Sequence, residues 1–331
     1  MDLRELGAGL SGHGWTIGVW LRHAVSPGVA PASSPWSVVA EDPKIGPVKL
    51  TGRIRHEPST SLVMIVHGLA GDIEAPYMIA GATAASAAGL SCLRLNLRGA
   101  DRGGEDFYHA GLTADLHAAV SSEELARYQQ IFVLGYSLGG HVTLRYAADG
   151  SDPRVSAVAA VSPPLDLDLS ARAFDRPTCD IYRRNVLTGL KEIYDNVARR
   201  RPVPTPVSEV HRIRKIRQWD DCVVAPRYGF RDAEHYYRSV SVASRLSELT
   251  TRSLIVFAKN DPMVPASAVA ASVERCSPET LVKWVDRGGH MAFPSKLDLE
   301  CGGPLGLEGQ IMSWFRGASS TTPSRGVTWP S

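Results

Sequence analysis

A serine flanked by glycines is the clearest candidate for a nucleophile in this sequence. Ser137 lies in residues 135–139, whose letters GYSLG match the pattern G-x-S-x-G. The apolar run IFVLG ends there and LGGHVTLRYAA follows, which predicts a strand, a sharp turn and a helix. Such a turn strains the backbone, so we expect Gly135, Gly139 and Gly140 to supply the room it needs. The pattern predicts a Ser137 hydroxyl at a sheet edge, facing the positive N-terminal end of a helix.

A serine hydroxyl is a weak nucleophile near neutral pH and needs a general base. Among ten histidines, His290 fits best because it stands in DRGGHMAF, a glycine turn directly after the predicted strand LVKWV. His67, His109 and His117 precede the serine, whereas the histidine follows it in enzymes with this nucleophile turn. His141 lies on the helix that the nucleophile turn begins. We therefore predict that His290 is the base.

The base needs a carboxylate that orients its imidazole. Asp261 stands in AKNDPMVP, directly after the predicted strand SLIVFA, and open α/β sheets place functional groups at the carboxyl ends of strands. The rival acid is Asp166 or Asp168 in SPPLDLD, where we interpret Asp166 as a helix N-cap. Asp286 follows the next strand and is expected only to cap a turn. Asp261 is the predicted third member of a catalytic triad.

A carbonyl under attack becomes tetrahedral, and its oxyanion needs N–H donors. The residue after the nucleophile, Leu138, is expected to supply one. The turn HGLAG after the apolar run SLVMIV is expected to supply the other, from Leu69. The alternative is that HGLAG is only a glycine turn between two elements.

The alternation of apolar runs and amphipathic segments predicts the fold. A half-buried strand is expected in KLTGRIR, and a central strand in SLVMIV, which is apolar at almost every position. Further strands are predicted at 90–95, 131–135, 155–161, 253–258 and 281–285, and helices at 76–88, 112–124, 138–148 and 306–315. Strands that alternate with helices indicate right-handed crossovers. The predicted class is α/β, with a mostly parallel central sheet flanked by helices.

The alternation stops in residues 165–245, where Arg, Tyr and Asp are frequent and no strong apolar strand is found. We predict that this region is a cap of several short helices, inserted into a core formed by residues 36–164 and 246–316. Residues 1–35 are rich in Gly, Pro and Ser and are expected to be irregular. The tail, residues 317–331, is expected to be disordered.

Composition and charge limit which partners and cofactors are expected. A net charge of +2 over 331 residues gives no electrostatic case for nucleic acid. We interpret the basic stretches ARRR and HRIRKIR as solvated helix faces rather than a site for an acidic ligand. Five scattered cysteines predict neither a zinc site nor a disulfide framework. With no secretory signal and no apolar stretch of the roughly 18 residues that span a membrane, we expect a soluble cytoplasmic protein without metal or organic cofactor.

Together these motifs resemble the YheT-like branch of the α/β-hydrolase superfamily, which is related to eukaryotic abhydrolase-domain esterases and yeast medium-chain acyl ester synthases/esterases. The resemblance runs in order through VHGLAGD, LRLNLRGADRGG, YHAGLTADL, GYSLGGH, DDCVVAPRYGFRDAEHYYRSVS, NDPMVP and GGHMAF, and covers roughly residues 45–315. It implies an α/β-hydrolase fold. Eukaryotic relatives often carry an N-terminal membrane anchor, which the first fifty residues do not show, so membrane attachment is not implied.

The resemblance also implies a triad of Ser137, His290 and Asp261, an oxyanion hole at Leu69 and Leu138, and action on fatty acyl esters. We therefore predict a serine esterase that cleaves such esters through an acyl-enzyme intermediate. Acyl transfer to an alcohol by the same residues is the first alternative. A ligand-binding protein that keeps the fold without turnover is another, as is a cofactor-free lyase or perhydrolase. Chain length, alcohol group and oligomeric state stay open.

Overall fold

The computed structural model describes residues 11–18, residue 21 and residues 28–319. In this part of the chain, eight strands form one sheet. They are β1 (Ser34–Asp42), β2 (Gly46–Arg55), β3 (Ser61–Val66), β4 (Ser91–Asn96), β5 (Gln130–Tyr136), β6 (Val155–Val161), β7 (Arg252–Ala258) and β8 (Thr280–Val285). Their order across the sheet is β1-β2-β4-β3-β5-β6-β7-β8. The β1–β2 and β2–β4 pairs are antiparallel, and the pairs from β4 onward are parallel.

Side-chain patterns explain which strands lie at the centre of this sheet. All residues of β3 from Leu62 to Val66 are buried, since apolar layers cover both faces there. Alternate side chains of β3 contribute to two apolar clusters, Met64 to one and Val63 and Ile65 to the other. In β2, near the edge, buried residues alternate with partly exposed ones, as expected of a half-covered strand. The predicted α/β class with a mostly parallel sheet is confirmed.

Besides a helical segment at residues 11–18, the described chain contains eleven helices. They are α1 (Pro76–Ala87), α2 (Ala114–Val120), α3 (Leu138–Gly150), α4 (Leu167–Phe174), α5 (Asp180–Ala198), α6 (Val207–Val210), α7 (Ile216–Trp219), α8 (Ala225–Tyr228), α9 (Ala233–Val240), α10 (Ala266–Val273) and α11 (Leu307–Ser319). A π-helical turn at Asp220–Val224 joins α7 to α8. Short 3-10 helices lie at Glu123–Leu125, Pro177–Cys179 and Val242–Glu248. We call residues 165–245, which hold α4 to α9, the cap. None of the described helices combines the length and the apolar character that crossing a bilayer requires.

One helix is longer than expected, one was not predicted and one is shorter than expected. The cap contains a helix of 19 residues, α5, rather than only short ones, because its polar sequence hides a buried apolar stripe that includes Leu187 and Leu190. Helix α10 was not predicted, since it has only eight residues, fewer than a helical pattern needs to show itself. The helix expected at 112–124 is shorter and ends in a 3-10 turn.

Both ends of the chain also differ from expectation. Residues 11–18 are helical rather than irregular, and β1 begins at Ser34, inside the segment predicted to be irregular. Helix α11 continues through residues 317–319, which were assigned to the disordered tail. The remaining parts of those two predictions, at 1–10, 19–20, 22–27 and 320–331, lie outside the described residues.

A buried ionic cluster ties the loop after β4 to the cap and to β1. Arg98, which is 1% exposed, donates to Asp115 of α2 at 2.7 Å and 3.0 Å, and to Asp42 of β1 at 2.7 Å. Its Nη1 also donates to Asp106 at 3.2 Å, and Asp106 accepts a further bond from Arg227 of α8 at 2.6 Å. Because a buried charge is costly without partners, these residues hold four separate segments in one arrangement.

Candidate active site

The predicted nucleophile lies at the sharp turn between β5 and α3. Ser137 has a backbone φ of 50°, a left-handed value that strains a residue with a side chain. Its N–H donates to the Val161 carbonyl of the neighbouring strand at 2.8 Å. A Cβ atom on Gly139 would lie 2.4 Å from two backbone oxygens at the end of β3, and one on Gly135 would lie 2.3 Å from the Gly139 oxygen. The turn therefore needs glycine at both positions.

The structure brings the three predicted triad residues into one chain of hydrogen bonds. His290 Nε2 lies 2.9 Å from Ser137 Oγ, and His290 Nδ1 lies 2.8 Å from Asp261 Oδ2. Both side chains are buried, at 2% exposure for His290 and 1% for Asp261. The other carboxylate oxygen of Asp261 accepts the backbone N–H groups of Met263 and Val264, at 2.8 and 2.9 Å, which fixes the plane of the carboxylate. With a proton on Nδ1, Nε2 is placed to take a proton from the serine.

Ser162 holds the loop that carries His290, a role that sequence reasoning missed. It follows β6 directly, is fully buried and has a φ of 50°. Its N–H donates to the Val256 carbonyl at 2.8 Å, and its Oγ accepts the Met291 N–H at 3.4 Å. The Pro-Pro pair after Ser162 marks a turn in the sequence, but nothing in it indicates a contact with a loop 129 residues away.

The turn after β3 presents a free N–H donor. Tyr77 Oη accepts the Gly68 N–H at 3.1 Å, and Tyr108 Oη accepts the Ala70 N–H at 2.6 Å. The Leu69 N–H lies between these two and has no acceptor among the described residues. Two tyrosine hydroxyls therefore hold the turn on either side of the donor that the sequence singled out.

The second predicted donor belongs to the residue after the nucleophile. Leu138 is the first residue of α3, so its N–H has no intrahelical acceptor. The two turns are neighbours, because a Cβ atom on Gly68 would lie 3.1 Å from the Ser137 Cβ. An oxyanion beside Ser137 would thus have N–H groups available from two sides.

His67 stabilises the turn after β3 instead of acting as a base. Its Nε2 accepts the Leu97 N–H at 3.1 Å, which leaves the proton on Nδ1, and Nδ1 donates to the Gly68 carbonyl at 2.8 Å. Burial lowers the pKa of His67 to about 4. The imidazole is therefore neutral near pH 7 and connects the turn to the end of β4.

A cavity of about 1280 Å³ reaches Ser137 and His290. Helix α1, the cap and the start of α11 form most of its wall, and apolar side chains such as Phe174, Val186 and Trp219 line the cap side. A cavity of this size and lining suits a substrate with an extended apolar part. The described residues contain no group of three or more His, Cys, Asp and Glu side chains arranged to hold a metal ion.

A carboxyl group lies in the apolar cap side of this cavity. Asp220 is 8% exposed, and its Oδ2 accepts a hydrogen bond from Tyr237 Oη at 2.6 Å. Burial raises the pKa of Asp220 to about 7. This residue stands at the π-helical turn and was not among the predicted site residues, because sequence alone did not show that it is buried.

The rival acids have other partners. Asp166 caps helix α4, with Oδ1 accepting the Leu169 N–H at 3.0 Å, which confirms the N-cap interpretation. Asp168 pairs with two arginines at 2.8 and 2.9 Å. The side chain of Asp286 is 79% exposed and pairs with Lys259 at 2.6 Å. Of the four carboxylates considered, Asp261 is the one bonded to His290.

The two basic stretches take part in ion pairs on the surface. Arg200 and Arg201 lie 3.0 and 3.7 Å from the carboxylate of Glu105, and Arg217 lies 2.9 Å from Asp168. All of these arginine side chains are at least a quarter exposed. The arginines are therefore surface ion-pair partners, but Arg200 and Arg201 follow the end of α5 and residues 211–215 precede α7, so the expectation of helix faces was wrong.

Residues 63–297 match the alpha/beta hydrolase family, and this span includes the turn after β3, the nucleophile turn and the loops of the acid and base. The chain therefore belongs to the alpha/beta hydrolase family. Within this family it is similar to YheT-like proteins. It is 29% identical over 278 residues to YheT of Escherichia coli K12, an esterase candidate by name, and the match covers 79% of this chain and 77% of that protein.

Two Saccharomyces cerevisiae proteins are also similar to this chain. One is a monoacylglycerol lipase, 26% identical over 200 residues, and the other is medium-chain fatty acid ethyl ester synthase/esterase 2, 25% identical over 269 residues. The matches cover 56% and 72% of this chain, but only 43% and 59% of those longer proteins. The chain is an esterase-like enzyme of this family.

Solved structures show the same fold. Est1E from Butyrivibrio proteoclasticus superposes with a TM-score of 0.53 at 17% identity, covering 86% of this chain and 99% of that one. The esterase Pf2001 of Pyrococcus furiosus superposes with a TM-score of 0.52 at 16% identity, covering 78% and 84%. At such low identity this likeness establishes the α/β-hydrolase fold and no more.

Proposed function

We propose that the protein hydrolyses fatty acyl-type esters, with Ser137 as the nucleophile, His290 as general base and then acid, and Asp261 as the group that orients the imidazole. The observation that carries the proposal is the unbroken chain of hydrogen bonds from Asp261 through His290 to Ser137, at 2.8 and 2.9 Å, beside an apolar cavity. A hydroxyl, an imidazole and a carboxylate in this order are what nucleophilic acyl transfer requires.

In the proposed cycle, Ser137 Oγ attacks the ester carbonyl carbon while its proton passes to His290 Nε2. The N–H groups of Leu69 and Leu138 stabilise the oxyanion. The tetrahedral intermediate then collapses, the carbon–oxygen bond to the alcohol breaks, and Nε2 returns the proton to the leaving alkoxide. Water attacks the acyl-serine by the same steps, and the acid product leaves with Ser137 restored. Throughout, Asp261 holds Nδ1–H and stabilises the imidazolium.

Two observations support an apolar acyl group as the substrate. Apolar side chains line the cap side of the cavity, so burial of a hydrocarbon chain there stabilises the complex by about 0.8 kcal/mol per CH₂ group. The yeast relatives are named for monoacylglycerol and for medium-chain fatty acid ethyl esters. Both names describe esters of a fatty acid with a small alcohol.

Acyl transfer to an alcohol is the second candidate, because one relative is named a synthase as well as an esterase. The acyl-serine is the same in both reactions, and they differ only in whether water or an alcohol attacks it. Offering a fatty acyl ester in water with added ethanol separates them. Hydrolysis predicts mainly free fatty acid, whereas a majority of ethyl ester reverses the order of the two candidates.

The proposal is tested with p-nitrophenyl esters of increasing acyl length. The parent protein should release p-nitrophenol, and Ser137→Ala should lower kcat by at least about 10⁴-fold. Ser239→Ala is the matched control, because Ser239 lies on the exposed face of α9 and its hydroxyl bonds only within that helix. Turnover by Ser137→Ala at the parent rate contradicts the proposal. Tight binding of an ester without turnover by the parent protein points to a ligand-binding role instead.

A further inference from the structure

The helical segment at residues 11–18, which we call the strap, connects the loop of His290 to the cap. Thr16 Oγ1 accepts the backbone N–H of His290 at 2.9 Å. Toward the other end of the strap, His13 Nδ1 lies 2.8 Å from the hydroxyl of Tyr182 on α5, and the two rings are stacked with their centroids 5.6 Å apart. The strap thus bonds both to the backbone of the proposed general base and to the cap.

Close packing fixes where the strap lies. A Cβ atom on Gly289 would lie 2.4 Å from the Gly12 carbonyl oxygen and 2.4 Å from Thr16 Oγ1. A Cβ atom on Gly12 would lie 1.8 Å from the backbone oxygen of Asn260, the residue before Asp261. The strap therefore rests without a gap on the two loops that carry the proposed acid and base.

Thr16 accepts a backbone N–H group, that of His290, for which the described residues offer no other acceptor. The loop of His290, between β8 and α11, contains no helix or strand apart from an isolated bridge between Gly289 and Ala292, and Met291 has a φ of 53°. Two hydroxyls accept its consecutive N–H groups, Thr16 Oγ1 at His290 and Ser162 Oγ at Met291. The Thr16 hydroxyl also donates to a carbonyl of its own helical turn at 2.9 Å, which orients a lone pair toward the loop. Such a loop is displaced easily when one of its acceptors is lost.

We propose that Thr16 is a positioning residue for the proposed ester hydrolysis, on which this inference rests. Its hydroxyl holds the His290 backbone, so that the imidazole stays in line with Ser137 and Asp261. Thr16 and Ile17 also line the cavity, so the strap forms part of the substrate site. A small displacement of a catalytic group lowers the rate far more than it weakens substrate binding.

The experiment compares Thr16→Val, which removes the acceptor at nearly constant volume, with Thr16→Ser, which keeps it. Thr188→Val is the matched control, because the Thr188 hydroxyl bonds only within α5 and is exposed. We expect Thr16→Val to lower kcat about tenfold and to change KM less than about twofold, the size of effect expected when one partly buried hydrogen bond is lost. Thr16→Ser should keep kcat within about twofold of the parent, since the acceptor remains.

Hydrogen exchange measured by mass spectrometry supplies a readout that does not need catalysis. The peptide spanning residues 286–293 should exchange faster in Thr16→Val than in Thr16→Ser or Thr188→Val. His13→Phe keeps a ring stacked on Tyr182 but loses the hydrogen bond to it, and should also raise exchange in this peptide. This variant tests the inference if Thr16→Val does not fold.

The outcomes separate the two proposals. Loss of kcat together with faster exchange, both restored by serine, supports the role of Thr16. Unchanged exchange overturns it, and so does faster exchange with parent kcat, which would make the contact merely structural. If the parent protein itself hydrolyses no ester, the proposed function fails, whereas the exchange measurement still decides whether Thr16 holds the loop.

Discussion

Replacement of Gly139 by alanine tests how tightly the nucleophile turn is packed. The new Cβ would lie 2.4 Å from the carbonyl oxygens of Val66 and His67, whereas real Cβ atoms essentially never approach other heavy atoms within 3.0 Å. Those oxygens belong to the buried end of β3 and to the turn that follows it, so helix α3 must move away by about 0.6 Å or more. Ser137 directly precedes α3 and must move with it. Because a misplacement of about 1 Å can cost about 10²-fold, we expect kcat to fall roughly 30- to 100-fold.

The assay measures kcat and KM on a p-nitrophenyl ester together with unfolding in urea. Gly139→Ala should stay folded but lose about 1–3 kcal/mol of unfolding free energy through overpacking. Gly140→Ala is the comparison on the next residue, because its Cβ would meet three neighbours at 3.1–3.3 Å, which is tight but not below 3.0 Å, and we expect a clearly smaller loss of kcat than for Gly139→Ala. A Gly139→Ala protein with parent kcat and parent stability would refute this account of the turn.

Further perturbations test the surrounding structure. Arg98→Met leaves buried carboxylates without their main partner and should lower the free energy of unfolding in urea by about 3–5 kcal/mol. The control Arg184→Ala breaks an exposed ion pair and should lower it by less than about 0.5 kcal/mol. Equal losses in the two variants would contradict the stabilising role of the buried cluster. Burial raises the pKa of Asp220 from 3.8 to about 7 in the folded protein. As the pH rises from about 4 to 7, the unfolded chain releases a proton that the folded protein keeps. The free energy of unfolding therefore falls over that range by up to about 4 kcal/mol. Asp220→Asn should flatten this part of the pH dependence of urea unfolding, and an unchanged slope rejects the assignment. Tyr108→Phe removes the acceptor of the Ala70 N–H, next to the proposed oxyanion donor Leu69, so kcat should fall about tenfold with little change in KM. A kcat equal to that of the parent would show that the Tyr108 hydroxyl does not hold the turn.

The parts of the fold and site that could be predicted from sequence depend on local patterns. Ser137 was found because a strand, a glycine turn and a helix are encoded within about twenty residues, a spacing that one motif describes. Asp261 and His290 were found because each follows an apolar strand, and the carboxyl ends of parallel strands meet at one edge of the sheet. The structure places all three within hydrogen-bond distance, although nothing in the sequence measures such distances.

The rest depends on contacts between distant segments. Thr16 bonds to a residue 274 positions away, and Ser162 to one 129 positions away. Threonine and serine are common surface residues, so the residue types alone did not indicate these long-range contacts. Arg98 looked like one arginine in a glycine-rich loop, but its partners Asp42 and Asp115 come from β1 and α2. Helix α10 was missed for a different reason, because its eight residues are too few to show a helical period.

The central claim is that Ser137 carries the acyl group during turnover. Its most direct test is mass spectrometry of the protein quenched during turnover of a p-nitrophenyl ester, followed by peptide mapping. The account predicts a mass increase equal to one acyl group on the peptide that contains Ser137, absent in Ser137→Ala and lost when the ester is consumed before the reaction is quenched. An acyl group on a different residue, or continued turnover by Ser137→Ala, would contradict it.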